Sequence, residues 1–330
     1  MKKYCKVFIL IFLVCQSVSA LDFKITSVIE VGPIFGGAGM HPAQWSPDGT
    51  KLAYFNDGFL MISDTLGITQ RVAEIDLSPR RFAWSSNTDI IFFQKEFLQG
   101  DTILERMSSI NIESVDIEIL ENISRKRGEE HSREIWGPFK TVEGNVFYHL
   151  TINNTKSIMM VPNLQPEKAS PKSNHILRAG ENALYLVQSD FMDSIKISNE
   201  KAPFRHISND KTHVLSGGTI TRLKDHKYLV LDTISILQTK PEGTDGCDFG
   251  SESFNPKFTE VAFRYSCDDG DSYSVNSIGV FDYTTFQLTF LDPLMGLENC
   301  NRPSYAPDGK RLAFTSDGKV FILNREVSDE

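Results

Sequence analysis

The sequence predicts an all-β chain folded as a single β-propeller, on three observations. The stretch Gln44-Trp45-Ser46-Pro47-Asp48-Gly49-Thr50-Lys51-Leu52-Ala53-Tyr54 returns near the other end as Ser304-Tyr305-Ala306-Pro307-Asp308-Gly309-Lys310-Arg311-Leu312-Ala313-Phe314. Each copy reads as an aromatic-ended strand, a tight turn in which Pro presets φ and Gly supplies φ > 0, and a strand of alternating polar and apolar residues. Weaker copies of this half-meander recur between the two. No long amphipathic helix and no inter-domain linker breaks the series.

Taken in order, the chain opens with Lys2, Lys3 and Lys6, the apolar run Val7 to Val14, and Val18-Ser19-Ala20. These are the three regions of a secretory signal peptide, and the apolar run is too short to span a bilayer, which takes about 20 residues. Residues 1–20 are therefore expected to be removed after Ala20, leaving a propeller over 21–330 in the periplasm or secreted. Their removal takes away three Lys and no acid from a chain whose formal charge is already -9. Such a balance argues against nucleic acid or anionic lipid as partner. No later run reaches membrane-spanning length, and a monomer is expected.

Phe23 to Val31 reads as a strand with no hairpin partner of its own. The hairpin template then matches at Trp45 to Tyr54, Trp84 to Phe92, Phe139 to Tyr148, Leu177 to Leu186, Arg222 to Leu231, Phe254 to Phe263 and Tyr305 to Phe314. From Trp45 to Tyr305 the six intervals average about 43 residues, the length of a four-stranded antiparallel blade. Seven blades follow. If the fifth copy, Arg222 to Leu231, is false, the spacing rises to about 52 and six blades are the alternative. Third and fourth strands are predicted after several hairpins, as at Phe59 to Ser63, Ile68 to Ile75, Met107 to Ile112 and Val115 to Leu120. No fourth strand can be placed in the third or fifth unit. The last unit, ending at Lys319 to Asn324, is one strand short, so the N-terminal strand is expected to complete it and close the ring. Arg125 to Arg133 reads as a charged, exposed excursion.

With Cys5 and Cys15 in the signal segment, Cys247, Cys267 and Cys300 remain. Cys247 and Cys267 lie symmetrically about the turn at Asn255-Pro256-Lys257-Phe258, so a disulfide across two antiparallel strands is expected between them. The recurring aromatics Trp45, Trp84, Tyr148, Tyr185, Phe263 and Phe314 are assigned to the core between sheets.

At Trp45 to Tyr54 and Tyr305 to Phe314 the chain resembles the WD40-like PD40 repeats of TolB-type β-propellers, and in diluted form the resemblance covers nearly the whole mature chain. It implies the propeller fold. It does not choose a function, because such propellers include periplasmic partner-binding proteins, the propeller domains of prolyl-oligopeptidase-like enzymes and oligogalacturonate lyases. There is no Gly-x-Ser-x-Gly elbow in the sequence, and neither a hydrolase domain nor a separate N-terminal domain is expected.

His41, His131, His175 and His213 are placed near the beginnings of predicted innermost strands, where, with Arg133 and Glu134, they would meet at a channel mouth. Convergent imidazoles can bind a transition metal or act as a base toward an acidic sugar. The alternative is a polar lining of a wet channel, and no His-x-His ligand pair is present. The resemblance implies a channel histidine cluster for a lyase, but none can be matched here residue by residue. Asp268, Asp269 and Asp271 crowd a loop whose carboxylates can hold Ca²⁺, against the reading as a solvated turn. The function read from the sequence is an exported, non-catalytic binding platform for a protein or carbohydrate. A metal-dependent lyase or hydrolase acting on an acidic oligosaccharide is the alternative.

Overall fold

In this computed structural model the described residues are 24–34, 43–75, 81–98, 101–128, 133–140, 146–153, 155–160, 175–179, 184–188, 194–198, 205–207, 213–216, 219–222, 228–230, 246–256, 259–268, 274–282 and 287–326. They form seven antiparallel sheets. Strand β1 (Ile25–Pro33) stands apart in sequence from its own sheet. Sheet one holds β2 (Gln44–Trp45), β3 (Lys51–Asn56), β4 (Phe59–Asp64) and β5 (Thr69–Glu74). Sheet two holds β6 (Arg81–Trp84), β7 (Asp89–Leu98), β8 (Thr102–Asn111) and β9 (Ile117–Lys126).

Sheet three comprises β10 (Arg133–Lys140), β11 (Val146–Ile152) and β12 (Thr155–Met160), and sheet four β13 (His175–Ala179), β14 (Leu184–Gln188) and β15 (Ser194–Ser198). Sheet five has β16 (Arg205–Ile207), β17 (His213–Ser216), β18 (Thr219–Arg222) and β19 (Tyr228–Val230). Sheet six has β20 (Gly246–Phe254), β21 (Glu260–Asp268), β22 (Ser274–Asp282) and β23 (Gln287–Phe290), followed by the one-turn helix α1 (Asp292–Met295). Sheet seven is β24 (Asn301–Tyr305), β25 (Arg311–Ser316), β26 (Lys319–Arg325) and, alongside β26, β1.

Every sheet is a meander, so its first strand starts at one end and reaches the first hairpin turn at the other. The turn ends lie side by side. Gly49 (φ +70°) sits so close to the next turn that a Cβ there would stand 3.1 Å from the Pro307 ring, and Gly309 (φ +69°) faces Pro256 in the same way. Both positions need glycine for conformation and for space. Asp48 and Asp308 hold these turns from within. The Asp48 carboxylate accepts from Ser46 Oγ (2.6 Å) and from Thr50 N (3.0 Å), and that of Asp308 from Lys310 N (2.8 Å) and Arg311 Nε (2.8 Å). Desolvation raises the Asp48 pKa, but the bonds from Ser46 and Thr50 outweigh it and leave the group below its ordinary value.

Neighbouring first strands are tied by indole and amide donors. Trp45 Nε1 donates to Ser304 O (3.0 Å), Gln44 Nε2 to Phe82 O (2.9 Å) and Trp84 Nε1 to Gln44 O (2.9 Å). Around them the repeated aromatics fill the gaps between sheets, as expected: Trp84, Phe263 and Phe314 are fully buried and Trp45 and Tyr148 nearly so. One cluster joins sheets seven, one and two, a second joins six and seven, and a third joins two and three.

Two buried carboxylates pin further joints. Glu105 on β8 accepts from Arg125 Nη2 (2.7 Å) and pairs with Lys95 Nζ (3.0 Å), while its other oxygen accepts from Ile135 N on β10 (2.9 Å). Glu260 on β21 pairs with Arg325 Nη2 (2.6 Å) and accepts from Tyr305 Oη (3.1 Å). Arg125 therefore does not begin an exposed excursion: β9 runs on to Lys126, and the Arg125 side chain is 1% exposed.

The fifth hairpin also differs from its sequence reading. Arg222 to Leu231 spans the outer pair β18 and β19, where Ile220 faces Leu229. The inner pair is β16 and β17, with Ile207 opposite Val214, so the sheet that lacked a fourth strand in the sequence reading has one.

Candidate functional site

Because each first strand begins at the end opposite the hairpin turns, the strand starts define one face, here the start face, and the turns define the other. Two hairpins rise above the start face. Beyond the equivalent aromatics Tyr54 and Phe314, β3 and β25 continue only to Asn56 and Ser316, where Asp57-Gly58 and Asp317-Gly318 reverse the chain with φ > 0 at both positions. Asp-Gly is the favoured pair for that tight turn. Beyond Phe92 and Phe263, β7 runs to Leu98 and β21 to Asp268. At about 3.3 Å per residue these hairpins stand roughly 13 and 10 Å taller. Sheets seven and one are thus a low floor between two walls, and Phe97 and Leu98 are exposed on one of them.

The residues singled out in the sequence distribute as follows. His41 and His131 lie outside the described residues, as do Asp269 and Asp271. Arg133 and His175 are the first residues of β10 and β13, at the start face. His213 is the first residue of β17, a second strand, and so stands at the turn end of its sheet. His175 and His213 thus occupy opposite ends of their inner hairpins, and the expected meeting of imidazoles at one mouth loses one of its members. Asp268 closes β21. No group of three metal-ligating side chains occurs among the described residues. Cys247 and Cys267 are direct partners in the β20–β21 register.

Cys300 is a buried free thiol whose pKa is pushed up by burial and by the neighbouring Asp292 carboxylate. It is no nucleophile at neutral pH, since only the thiolate attacks.

The structure adds arginines that sequence reasoning passed over. Arg302 on β24 and Arg81 on β6 both stand three residues before the aromatic that ends the first strand. Arg302 lies in a β-bulge, between Asn301 opposite Thr315 and Ser304 opposite Ala313, with φ +55°. Ser251 holds the same place in the bulge of β20, with φ +53°. Bulges re-aim side chains, and a non-glycine φ of this sign is a strained conformation that marks positions held by their surroundings. Arg302 Nη1 and Asn301 Oδ1 are buried and have no hydrogen-bond partner. Burial, and then the charge of Arg264, lowers the Arg302 pKa, and burial lowers that of Arg81. Both guanidinium groups stay charged, their ordinary value being so high.

No family model matches the chain, and no curated protein matches it significantly. Among solved structures it is similar to a chain of the mitotic checkpoint complex, at 12% identity over 93% of this chain and 96% of that one, with a TM-score of 0.43. It is also similar to the C-terminal WD40 domain of Sif2, at 9% identity over 93% and 100% of the two chains, with a TM-score of 0.49. A third likeness, to an oligogalacturonate lyase from Vibrio parahaemolyticus, has 12% identity over 87% and 77%, with a TM-score of 0.36. These likenesses are of architecture and carry no chemistry across.

Proposed function

We propose that this chain is an exported, non-catalytic binding platform: seven blades in a ring closed by β1, engaging a protein partner. The observation that supports this reading is a set of exposed aliphatic side chains on two adjacent outer edges. Leu66 and Ile68 are each 70% exposed beside β5, and Val115, Ile117 and Ile119 are 44–53% exposed at the start of β9. Ile117 is opposite Ile110, which packs in the core shared with sheet one. Asp64 and Ile68 close the sheet-one face that carries Phe55, whose ring meets Phe82 of sheet two at 5.1 Å. Both sets therefore flank the same gap between sheets. Clustered exposed aliphatics on an otherwise acidic chain are the signature of a protein contact rather than of a sugar site.

The test is photo-crosslinking in extract of the native host, with the crosslinker at position 68 or 119 and, as control, at position 308 on the turns. An adduct of one defined mass from 68 and 119 that disappears in Ile117→Glu supports the platform. Adducts absent from both sites, or equal at all three, refute it.

A further inference from the structure

The outermost strand of a sheet offers a row of backbone N–H and C=O groups to any passing chain, and proteins blunt such edges with charges, with Pro or by keeping them short. The outermost described strands follow that rule. β5, β12 and β15 carry Arg71, Lys156 and Lys196, β1 ends at Pro33, and β19 and β23 have three and four residues. Strand β9 differs. It has ten residues, pairs with β8 alone among the described strands, and places Arg125 and Lys126 at its far end. Its first half is guarded by acids only, and charge of one sign repels an acidic edge while it attracts a basic one.

From Val115 to Glu121 the chain reads Val-Asp-Ile-Glu-Ile-Leu-Glu. Successive side chains of a strand point to opposite faces. The register bears this out: Ile117 and Ile119 lie opposite Ile110 and Ser108, and Glu118 lies opposite Ser109 on the other face. Val115, Ile117 and Ile119 are exposed, and so are Glu113, Asp116 and Glu118. Residues 113–121 hold four acids and no base. Lys51 approaches Glu113 at 3.8 Å, and Lys126 stands beyond the register shift at Leu120. Taking the aliphatic rim as the protein contact, we propose that the first half of β9 receives an extended segment in which aliphatic residues alternate with Lys or Arg, added to sheet two as a fifth strand. The backbone of that segment takes up the N–H and C=O groups of the edge. Its aliphatics join Ile117 and Ile119 on one face, and its cations meet Glu118 on the other. The formal charge of -9 draws such a segment toward the chain. A second copy laid on the same half-strand would set acid against acid.

The experiment is fluorescence anisotropy of the labelled peptide Lys-Val-Lys-Val-Lys-Val-Lys titrated with the purified full chain, at low and raised salt. Saturable binding that weakens with salt is expected. Alternate residues of a strand aim their backbone groups at opposite edges. N-methylation of the Val residues must therefore act differently from N-methylation of the inner Lys residues: one set abolishes saturable binding and the other leaves it close to that of the parent peptide. The same residues in block order, four Lys then three Val, bind more weakly. Asp116→Lys/Glu118→Lys loses about tenfold or more in affinity, by turning attractive cross-strand pairs into repulsive ones. Glu30→Lys/Glu326→Lys makes the same charge change beside β1, where these acids pair with Lys319 and Lys24, and binds like the parent. Thermal melts of both variants accompany the titrations, and the methylated peptides test the edge on the unaltered chain. Strand addition is overturned by the absence of saturable binding, by equal effects of the two methylations, or by equal losses in the two double variants. If position 119 still yields its defined adduct in host extract, the platform stands and only its strand-adding partner falls.

Discussion

Replacing Glu105 by Ala removes the buried carboxylate that joins Arg125, Lys95 and the Ile135 N–H. Its side chain and that of Arg125 are each 1% exposed, and Lys95 is 20% exposed. The substitution leaves Arg125 as a buried, uncompensated charge, two of whose nitrogens already have no partner. It also strips the acceptor from Ile135 N, which ties β10 to β8. Breaking a buried ion pair from one side costs about 3–5 kcal/mol, and an orphaned buried N–H about 1–3 kcal/mol. Within one network these losses overlap, so a total of about 4 kcal/mol is expected. Glu105→Gln keeps an acceptor for Ile135 N and loses about 3 kcal/mol. Removing both charges with apolar groups, as in Glu105→Leu/Arg125→Met, recovers most of the loss, to within about 2 kcal/mol of the parent. The assay is the urea midpoint at constant slope, which reports stability rather than compactness. A loss below about 1 kcal/mol in Glu105→Ala, or a double variant as unstable as the sum of its singles, refutes the joint.

Three further expectations concern sheets six and seven. A Cβ at Gly279 would lie 2.6 and 2.8 Å from ring atoms of fully buried Phe263, so Gly279→Ala should lose about 1–3 kcal/mol by overpacking; thermal melts check this, and Phe263→Leu should relieve it. Burial raises the Asp292 pKa above 3.8 despite bonds from Ile278 N, Ser277 and Cys300. A carboxyl raised in the folded state contributes stability below its unfolded pKa and loses it as pH rises through the folded value. Asp292→Asn keeps an acceptor for Ile278 N, so its stability relative to the parent should improve from about pH 4 to neutral, and parallel urea midpoints across that range would refute the linkage. Cys247 and Cys267 face each other in register. Their disulfide would close a loop of about 20 residues and contribute about 3 kcal/mol, lost in Cys247→Ser or on reduction. Alkylation and mass measurement of the protein purified from an oxidising compartment showing both thiols free removes it.

The architecture was legible because its periodic signal is chemical: Pro, Asp and Gly in the turns, and an aromatic at each strand end that fills the wedge between sheets. Where those residues fail, the reading fails. In sheet five β16 ends in Ile207 and β17 begins at His213, and the sequence between them, Ser208-Asn209-Asp210-Lys211-Thr212, contains neither Pro nor Gly. The template therefore settled on Tyr228, an aromatic of the outer pair. The same blindness hid the arginines near the strand starts. Arg81 and Arg302 are unremarkable until the strand ends are known, since a basic residue gains meaning there only by sharing a position with others on strands far away in sequence. Arg125 was misjudged for a related reason: its partner Glu105 is twenty positions away, across a strand pair whose length no local pattern declares.

Why only two copies keep the full Pro-Asp-Gly turn has a physical answer in how adjacent turns touch. Gly49 is pressed by Pro307, and Gly309 by Pro256, so glycine in one turn and proline in the preceding one form a single contact. Sheet two has Ser85-Ser86-Asn87-Thr88 instead, without either residue. There Asn87 Oδ1 accepts from Asp48 N at 3.0 Å, and Ser86 Oγ donates to Asp89 to hold its own turn. A hydrogen bond replaces a ring contact at that joint. At these three joints the recurring element is the meeting of neighbouring turns, which the chain makes in more than one way. Asn87→Ala should therefore loosen the joint between sheets one and two, whereas a proline introduced at Ser86 would not restore it, because the Asp48 N–H would still lack its acceptor.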